Sequence, residues 1–143
     1  MFIKSILADK GKQPVHIISP QESIQSAVSM LSDHRIGAII ASSDGSTIQG
    51  IISERDIVRE LGARGAMVLN ETVGDLMTKE VKICSADDSA QDVLQIMTNG
   101  RFRHIPVMDG AGLLAMISIG DLVKARLDAI ENENNAIVEM IRG

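Results

Sequence analysis

Gly50-Ile51-Ile52-Ser53-Glu54-Arg55-Asp56-Ile57-Val58 and Ala115-Met116-Ile117-Ser118-Ile119-Gly120-Asp121-Leu122-Val123 are one pattern written twice. In each, an apolar run ends on a serine, and an aspartate follows three residues later. The run reads as a buried strand and the Ser-x-x-Asp as the start of a helix. Working outward, Val15, Ile17, Ser19, Ser23, Gln25, Arg35 and Ile39 fall on Val81, Ile83, Ser85, Ser89, Gln91, Arg101 and Ile105, at an offset of 66. The offset drops to 65 after one deletion near a Gly-rich turn. The chain is thus a tandem repeat. A unit of about 60 residues is marginal alone, so the copies are expected to bury apolar faces on each other.

Both copies predict the order β-α-β-β-α. In the first, residues 15–18 form a strand. Ser19 as N-cap, Pro20 at the first helical position and Glu22 at the third then start a helix, and Ile24, Ala27, Val28 and Leu31 share its buried face. Residues 36–41 and 48–52 are strands joined by the turn Ser43-Asp44-Gly45-Ser46. A helix runs from Ser53 to near Gly62. The second copy has a strand over 81–84, a helix over 86–98, strands over 102–108 and 113–118 around an Asp109-Gly110 turn, and a helix after Ser118. Residues 62–70, with two glycines and few periodic apolar positions, read as a linker loop. The fold class is α+β: two tandem repeats packed on each other through their sheets, plus a long C-terminal helix. The first repeat with a lead-in helix spans 1–64, the linker 65–71, and the second repeat with its extended helix 72–143.

The last helix, from about Gly120 to Arg142, carries Val123, Leu127, Ile130, Asn134, Ile137 and Ile141. Their spacings of 4, 3, 4, 3 and 4 form a heptad seam in which Asn134 could set register. Such a seam serves a dimer contact or a partner, or packs back on its own module. Phe2, Ile3, Ile6 and Leu7 form a short amphipathic helix able to lie beside it.

Composition narrows the function. The 143 residues are 45% hydrophobic and 23% charged, enough apolar content for a true core. There is no Trp or Tyr, and the two Phe are Phe2 and Phe102. The core must therefore be aliphatic. A single-strand nucleic-acid platform or an aromatic cage lacks the rings it needs. A net charge of −5 argues against duplex DNA or an anionic membrane as partner. The single cysteine, Cys84, can make neither an intrachain disulfide nor a zinc site and suits a reducing compartment. The first nine residues lack the apolar stretch of a signal peptide, and no apolar run is long enough to span a bilayer. A cytoplasmic protein is expected.

Gly50 to Asp56, Arg103-His104-Ile105-Pro106-Val107-Met108-Asp109 and Met116 to Asp121 together resemble a tandem pair of cystathionine-β-synthase (CBS) domains. Such a pair is a Bateman module, here of the stand-alone bacterial type. Thr72-Val73-Gly74-Asp75-Leu76-Met77-Thr78 resembles the lead-in to a second copy. The likeness covers nearly the whole chain. It implies a regulatory fold that binds adenosine-containing ligands in clefts between the copies and often dimerises into a flat disk. It implies no catalysis and no obligatory cofactor.

Each Ser-x-x-Asp has two readings. One is a capping box. The other uses the same geometry for a ligand: unpaired N–H groups and the helix dipole suit a phosphate, and an aspartate accepts two hydrogen bonds from a ribose diol. The resemblance assigns these roles to Ser53 and Asp56 and to Ser118 and Asp121, and the duplication favours binding. Arg55 reaches a phosphate or is solvated. Arg101, Arg103 and His104 make a local basic spot. The resemblance places phosphate-side residues at Arg103 and His104, whereas strand alternation sends the two to opposite faces; His104 is otherwise a packed or capping histidine. By resemblance the adenine walls come from Lys12 to Ile17 and from Thr78 to Ile83, with Val15 and Val81 foremost. With no aromatics nearby these walls are aliphatic. The ligand-binding candidates are therefore Lys12, Val15, Ile17, Ser53, Arg55, Asp56, Thr78, Val81, Ile83, Arg103, His104, Pro106, Ser118 and Asp121.

Gly110-Ala111-Gly112-Leu113-Leu114-Ala115 matches the dinucleotide fingerprint G-x-G-x-x-A, but a hairpin and a strand are expected where that motif needs a helix. Cys84 paired with His16, His34 or His104 would make a nucleophile, yet a cysteine in a buried strand is usually inert. No His/Asp/Glu cluster has metal-ligand spacing. The expected function is a regulatory module for an adenine nucleotide, AMP first, then NAD(H), ATP or ADP, in up to two clefts. With no output domain in sight, a homodimer acting in trans on an unidentified protein partner is expected. The competing readings are a ligand-free oligomerisation scaffold, in which the Ser-x-x-Asp motifs are only caps, and an enzyme using Cys84.

Overall fold

The computed structural model of the chain describes residues 1–110 and 112–142. The first repeat runs β1 (Ile17–Ile18), α2 (Ile24–His34), β2 (Ala38–Ala41), β3 (Gly50–Ser53) and α3 (Glu54–Arg64). The second runs β4 (Cys84–Ser85), α5 (Ala90–Gly100), β5 (His104–Asp109), β6 (Gly112–Ser118) and α6 (Ile119–Arg142). Helix α1 (Ile3–Lys10) precedes the first repeat; a 3₁₀ turn (Ala66–Asn70) and α4 (Val73–Leu76) precede the second. The expected β-α-β-β-α order is present twice. Each repeat holds a three-stranded sheet, β1-β2-β3 and β4-β5-β6, whose first pair is parallel and second antiparallel. The register pairs Ala38 with Ser53 and His104 with Ser118. Each middle strand therefore begins beside the serine that opens the last helix. The Asp109-Gly110 turn and β6 stand where the G-x-G-x-x-A motif falls, so no helix opens there; Ala111 lies outside the described residues.

The helices α2 and α5 start later than the sequence suggests. Ser23 and Ser89, not Ser19 and residue 86, are the caps, accepting hydrogen bonds from the Ser26 and Asp92 amides at 3.1 Å. The cause is a competing use of the backbone. The Pro20 and Glu22 carbonyls accept from the Gly74 and Val73 amides, at 2.8 Å each. In the second repeat the Ala86 and Asp88 carbonyls accept from Lys4 and Ile3, at 2.9 Å each. The turns that looked like helix starts are docking points for the lead-in segments.

Those lead-ins are exchanged. Ile3 and Ile6 of α1 are buried among Cys84, Val93, Met97, Ile105, Val107, Ile117 and Leu122 of the second repeat. Val68 and Val73 are buried among Ile18, Ile24, Ala27, Ile39, Ile52 and Ile57 of the first. Two corrections follow. Helix α1, placed by sequence with residues 1–64, packs into the second core, where α6 is among its neighbours as expected. Residues 62–70 are no loose loop: α3 runs through Gly62 to Arg64, and Val68 is fully buried. Division by chain order and division by packing therefore differ. Residues of both repeats line the clefts between them, and at Gly37 of the first repeat a Cβ would sit 2.9 Å from His104 Cε1 of the second. Any side chain at position 37 would have to push the His104 imidazole aside.

Two clefts between the repeats

Each Ser-x-x-Asp is held by its own helix start. Ser53 Oγ accepts from the Asp56 amide at 3.2 Å and donates to Asp56 Oδ2 at 2.8 Å. Ser118 Oγ accepts from the Asp121 amide at 3.1 Å, and the Ser118 amide donates to Asp121 Oδ2 at 2.8 Å. The capping geometry is thus real in both copies. The carboxylates differ in their cation. Arg59, one turn on, reaches Asp56 Oδ1 at 3.0 Å. Lys10, from the exchanged helix α1, reaches Asp121 Oδ2 at 2.9 Å and the Met116 carbonyl at 3.2 Å. Among the described residues nothing donates to Asp121 Oδ1.

Around these motifs lie two clefts related by the repeat. The larger, of about 760 Å³, joins Ser118 and Asp121 of the second repeat to Pro14, Val15, His16 and residues 35–38 of the first. The smaller, of about 350 Å³, joins Ser53 and Asp56 of the first repeat to Thr78, Val81 and residues 100–104 of the second. Each thus takes its helix start from one repeat and its strand lead-in from the other. Both volumes lie in the usual range for small-molecule sites. Lys10, Arg35 and Lys124 line the larger cleft; Arg55, Arg59, Lys82, Arg101 and Arg103 line the smaller. In an acidic chain, this gathers cations where an anion would sit.

The three histidines of the chain all line the larger cleft. His16 and His34 stack with ring centroids 4.1 Å apart. Burial, then the neighbouring His34, holds the His16 pKa below its ordinary value. Burial lowers His104 too; Glu54 and Asp121 oppose it, and Lys10 and Arg103 add to it. At Asp121 burial pushes the carboxyl up, but the Ser118 amide and Lys10 overcome this and leave it below the ordinary value. The unfolded chain therefore binds more protons than the native one just below pH 6.5, where the histidines ordinarily titrate. Stability should fall as pH drops through that value, ahead of any loss from Asp121 nearer pH 3.8. Urea midpoints at pH 7.5 and 5.5 check this; the drop should shrink in His104→Gln, and an equal drop in that variant would refute the assignment.

Of the sequence candidates, Val15, His104, Ser118 and Asp121 line the larger cleft, and Ser53, Arg55, Asp56, Thr78, Val81, Arg103 and His104 the smaller. His104 lines both; strand alternation expected Arg103 and His104 to part company, and they share the smaller cleft. Lys12, Ile17, Ile83 and Pro106 line neither. Lys12 and Ile83 are exposed, and Pro106 is buried between sheet neighbours. The expectation of purely aliphatic walls also needs correction. Phe102 lines the smaller cleft and the stacked imidazoles the larger. Sequence reasoning missed Lys10, because it placed α1 in the wrong core. It also gave no cleft role to Arg35 and counted Arg101 only in the basic spot; among the described residues these are the two non-glycine residues in the left-handed region, with φ of 53° and 58°. They occupy matching C-caps of α2 and α5, one at each cleft. Their equivalence at the 66-residue offset was the available signal. Cys84 is buried, and burial pushes its thiol up to about 11, so it holds little thiolate near neutral pH.

The chain belongs to the CBS-domain family: the family model, "CBS domain", matches residues 5–63 and 73–128. The crystal structure of the CBS-domain-containing protein ATU1752 from Agrobacterium tumefaciens superimposes with a TM-score of 0.83 at 40% identity, covering 88% of this chain and 99% of that one. The mitochondrial CBS domain-containing protein CBSX3 of Arabidopsis thaliana is 30% identical over 99% of this chain and 72% of its own. CBSX2, solved in complex with AMP, has the same fold, with a TM-score of 0.71 at 22% identity over 90% of this chain and 97% of that one. Among the described residues no helix is long and apolar enough to cross a membrane.

Proposed function

We propose that the chain is a regulatory module that binds an adenine nucleotide in its two clefts and, as a cytoplasmic homodimer, acts in trans on a protein partner. The observation that carries this reading is the pairing of each Ser-x-x-Asp with the lead-in strand of the opposite repeat under a rim of cations. Asp56 and Asp121 take the ribose diol, displacing Arg59 and Lys10. Ser53, Ser118 and the helix N-termini behind them take phosphate oxygens. Arg55 and Arg103 in the smaller cleft and His104 between the two add charge. Val15 and Val81 border the base, with His16 and His34 or Phe102 as ring partners. The repeats over 1–64 and 72–143 act as the two binding units, each completed by the other's lead-in. AMP is the first candidate, in keeping with the AMP complex of CBSX2. The larger cleft has room for the second phosphate of ADP or NAD(H) and for ATP. Ligand binding would shift the packing between repeats, the change a partner reads.

The closed capping bonds favour a second reading, a scaffold that binds nothing. The two are separated by mass spectrometry of small molecules released from the purified protein. A chain with no Trp or Tyr is nearly dark at 280 nm, so absorbance near 260 nm in nucleic-acid-free protein reports a base directly. A released adenine nucleotide supports the first reading. An empty protein that also fails to bind AMP, ADP, ATP and NAD(H) by calorimetry overturns it.

A further inference from the structure

Helix α6 leaves the molecule with an apolar face uncovered. Its inner side is settled: Leu122 is buried in the second core, with Ile119 and Ala125 against it. The heptad seam faces elsewhere. Val123, Leu127, Ile137 and Ile141 are 46%, 60%, 54% and 80% exposed. From residue 131 to residue 142 every side chain is exposed. A helix end of that length is marginal in water without packing.

We infer that this seam pairs with the same seam of a second copy, as a parallel two-stranded coiled coil. The seam from Val123 to Ile141 is about 27 Å long at about 1.5 Å per residue. Its a positions are Leu127, Asn134 and Ile141, and its d positions Val123, Ile130 and Ile137. The flanking charges choose the direction. In a parallel pair a g residue meets the e residue of the next heptad on the other helix. Here Arg126 meets Glu131 of the second copy, and the symmetry repeats the attraction. Asn134 then faces its own equivalent, where two amides can hydrogen-bond across the seam. The antiparallel arrangement with full overlap instead sets Glu131 against Glu131 and Glu133 against Glu133, and leaves Asn134 opposite Ile130. The face thus complements itself in one direction and repels itself in the other. This pairing rests on the homodimer of the proposed function and supplies its interface; the clefts play no part in it, so its failure is distinct from a failure to bind nucleotide.

The test is sedimentation of the full chain over a concentration series. A dimer is expected. Leu127→Glu with Ile137→Glu should give a monomer that still unfolds cooperatively, since neither residue belongs to a core cluster, but whose urea midpoint no longer rises with protein concentration as the parent dimer's does. Arg126→Glu should raise the dimer dissociation constant about tenfold or more, and adding Glu131→Arg should restore it. Ile137→Cys should oxidise to a disulfide-linked dimer, the lone natural Cys84 being buried. A monomeric parent chain, which would leave the face to some other protein, overturns the inference. So does a dimer that survives the double glutamate variant, or a charge swap that fails to rescue.

Discussion

In Asp121→Ala, adenine-nucleotide affinity at the larger cleft should fall by about 10- to 100-fold, and Asp56→Ala should do the same at the smaller. A hydrogen bond to a charged group contributes about 1.5–3 kcal/mol, roughly one to two decades of affinity, and a ribose diol makes two. The effect is expected to be larger at Asp121. Its Oδ1 has no donor among the described residues, and its carboxyl is held ionised by the Ser118 amide and Lys10 despite burial. Asp121→Asn provides the control, since an amide oxygen still accepts from Ser118 N and keeps the cap. Calorimetry of the single and double variants measures each cleft, and the double variant should be weakened at both. Unchanged affinity in both single variants would return the motifs to the role of helix caps.

The second large effect concerns folding. Ile3→Ala should destabilise the protein by about 2–5 kcal/mol, the range for emptying a buried isoleucine site. Ile3 is fully buried although it is the third residue of the chain, a position where disorder is the common state. It sits in the second core, with its amide on the Asp88 carbonyl. Removing residues 1–10 would also strip Ile6 and Leu7 from that core and Lys10 from Asp121, and should cost more. Urea unfolding measures both. A loss below about 0.5 kcal/mol for Ile3→Ala, the size of an ordinary surface change, would show that α1 is not an integral part of that core.

These two cases mark what the sequence carried and what it did not. The strands and their order were legible because Ile39, Ile52, Ile105 and Ile117 fall at matching positions of a duplicated pattern. The helix starts at Ser53 and Ser118 were legible because a cap is a local device. The starts at Ser23 and Ser89 were misread because the Ser19-Pro20 turn obeys the same local rules, and its true employment is with residues about fifty positions away. The exchange of lead-ins was invisible for the same reason: periodicity reveals that Ile3 and Val73 will be buried, not by which repeat. The clefts followed suit. Ser53, Asp56, Ser118 and Asp121 stand out through the duplicated motif, Val15 and Val81 through the family resemblance, and all six line the clefts. Lys10, which arrives across 111 residues of chain, stands out through neither.

The exchange also bears on how such a chain could have arisen. Segment 1–10 and segment 66–77 do equivalent work, each filling a hole in the repeat other than the one it leads into. A lone ancestral unit of lead-in plus repeat would have had one surplus plug and one open socket. Two such units could satisfy each other only by trading plugs, which is a domain-swapped dimer. Joining them end to end makes that trade permanent and independent of concentration. It also frees the halves to diverge, as Arg55 against Gly120 and Ala38 against His104 already show.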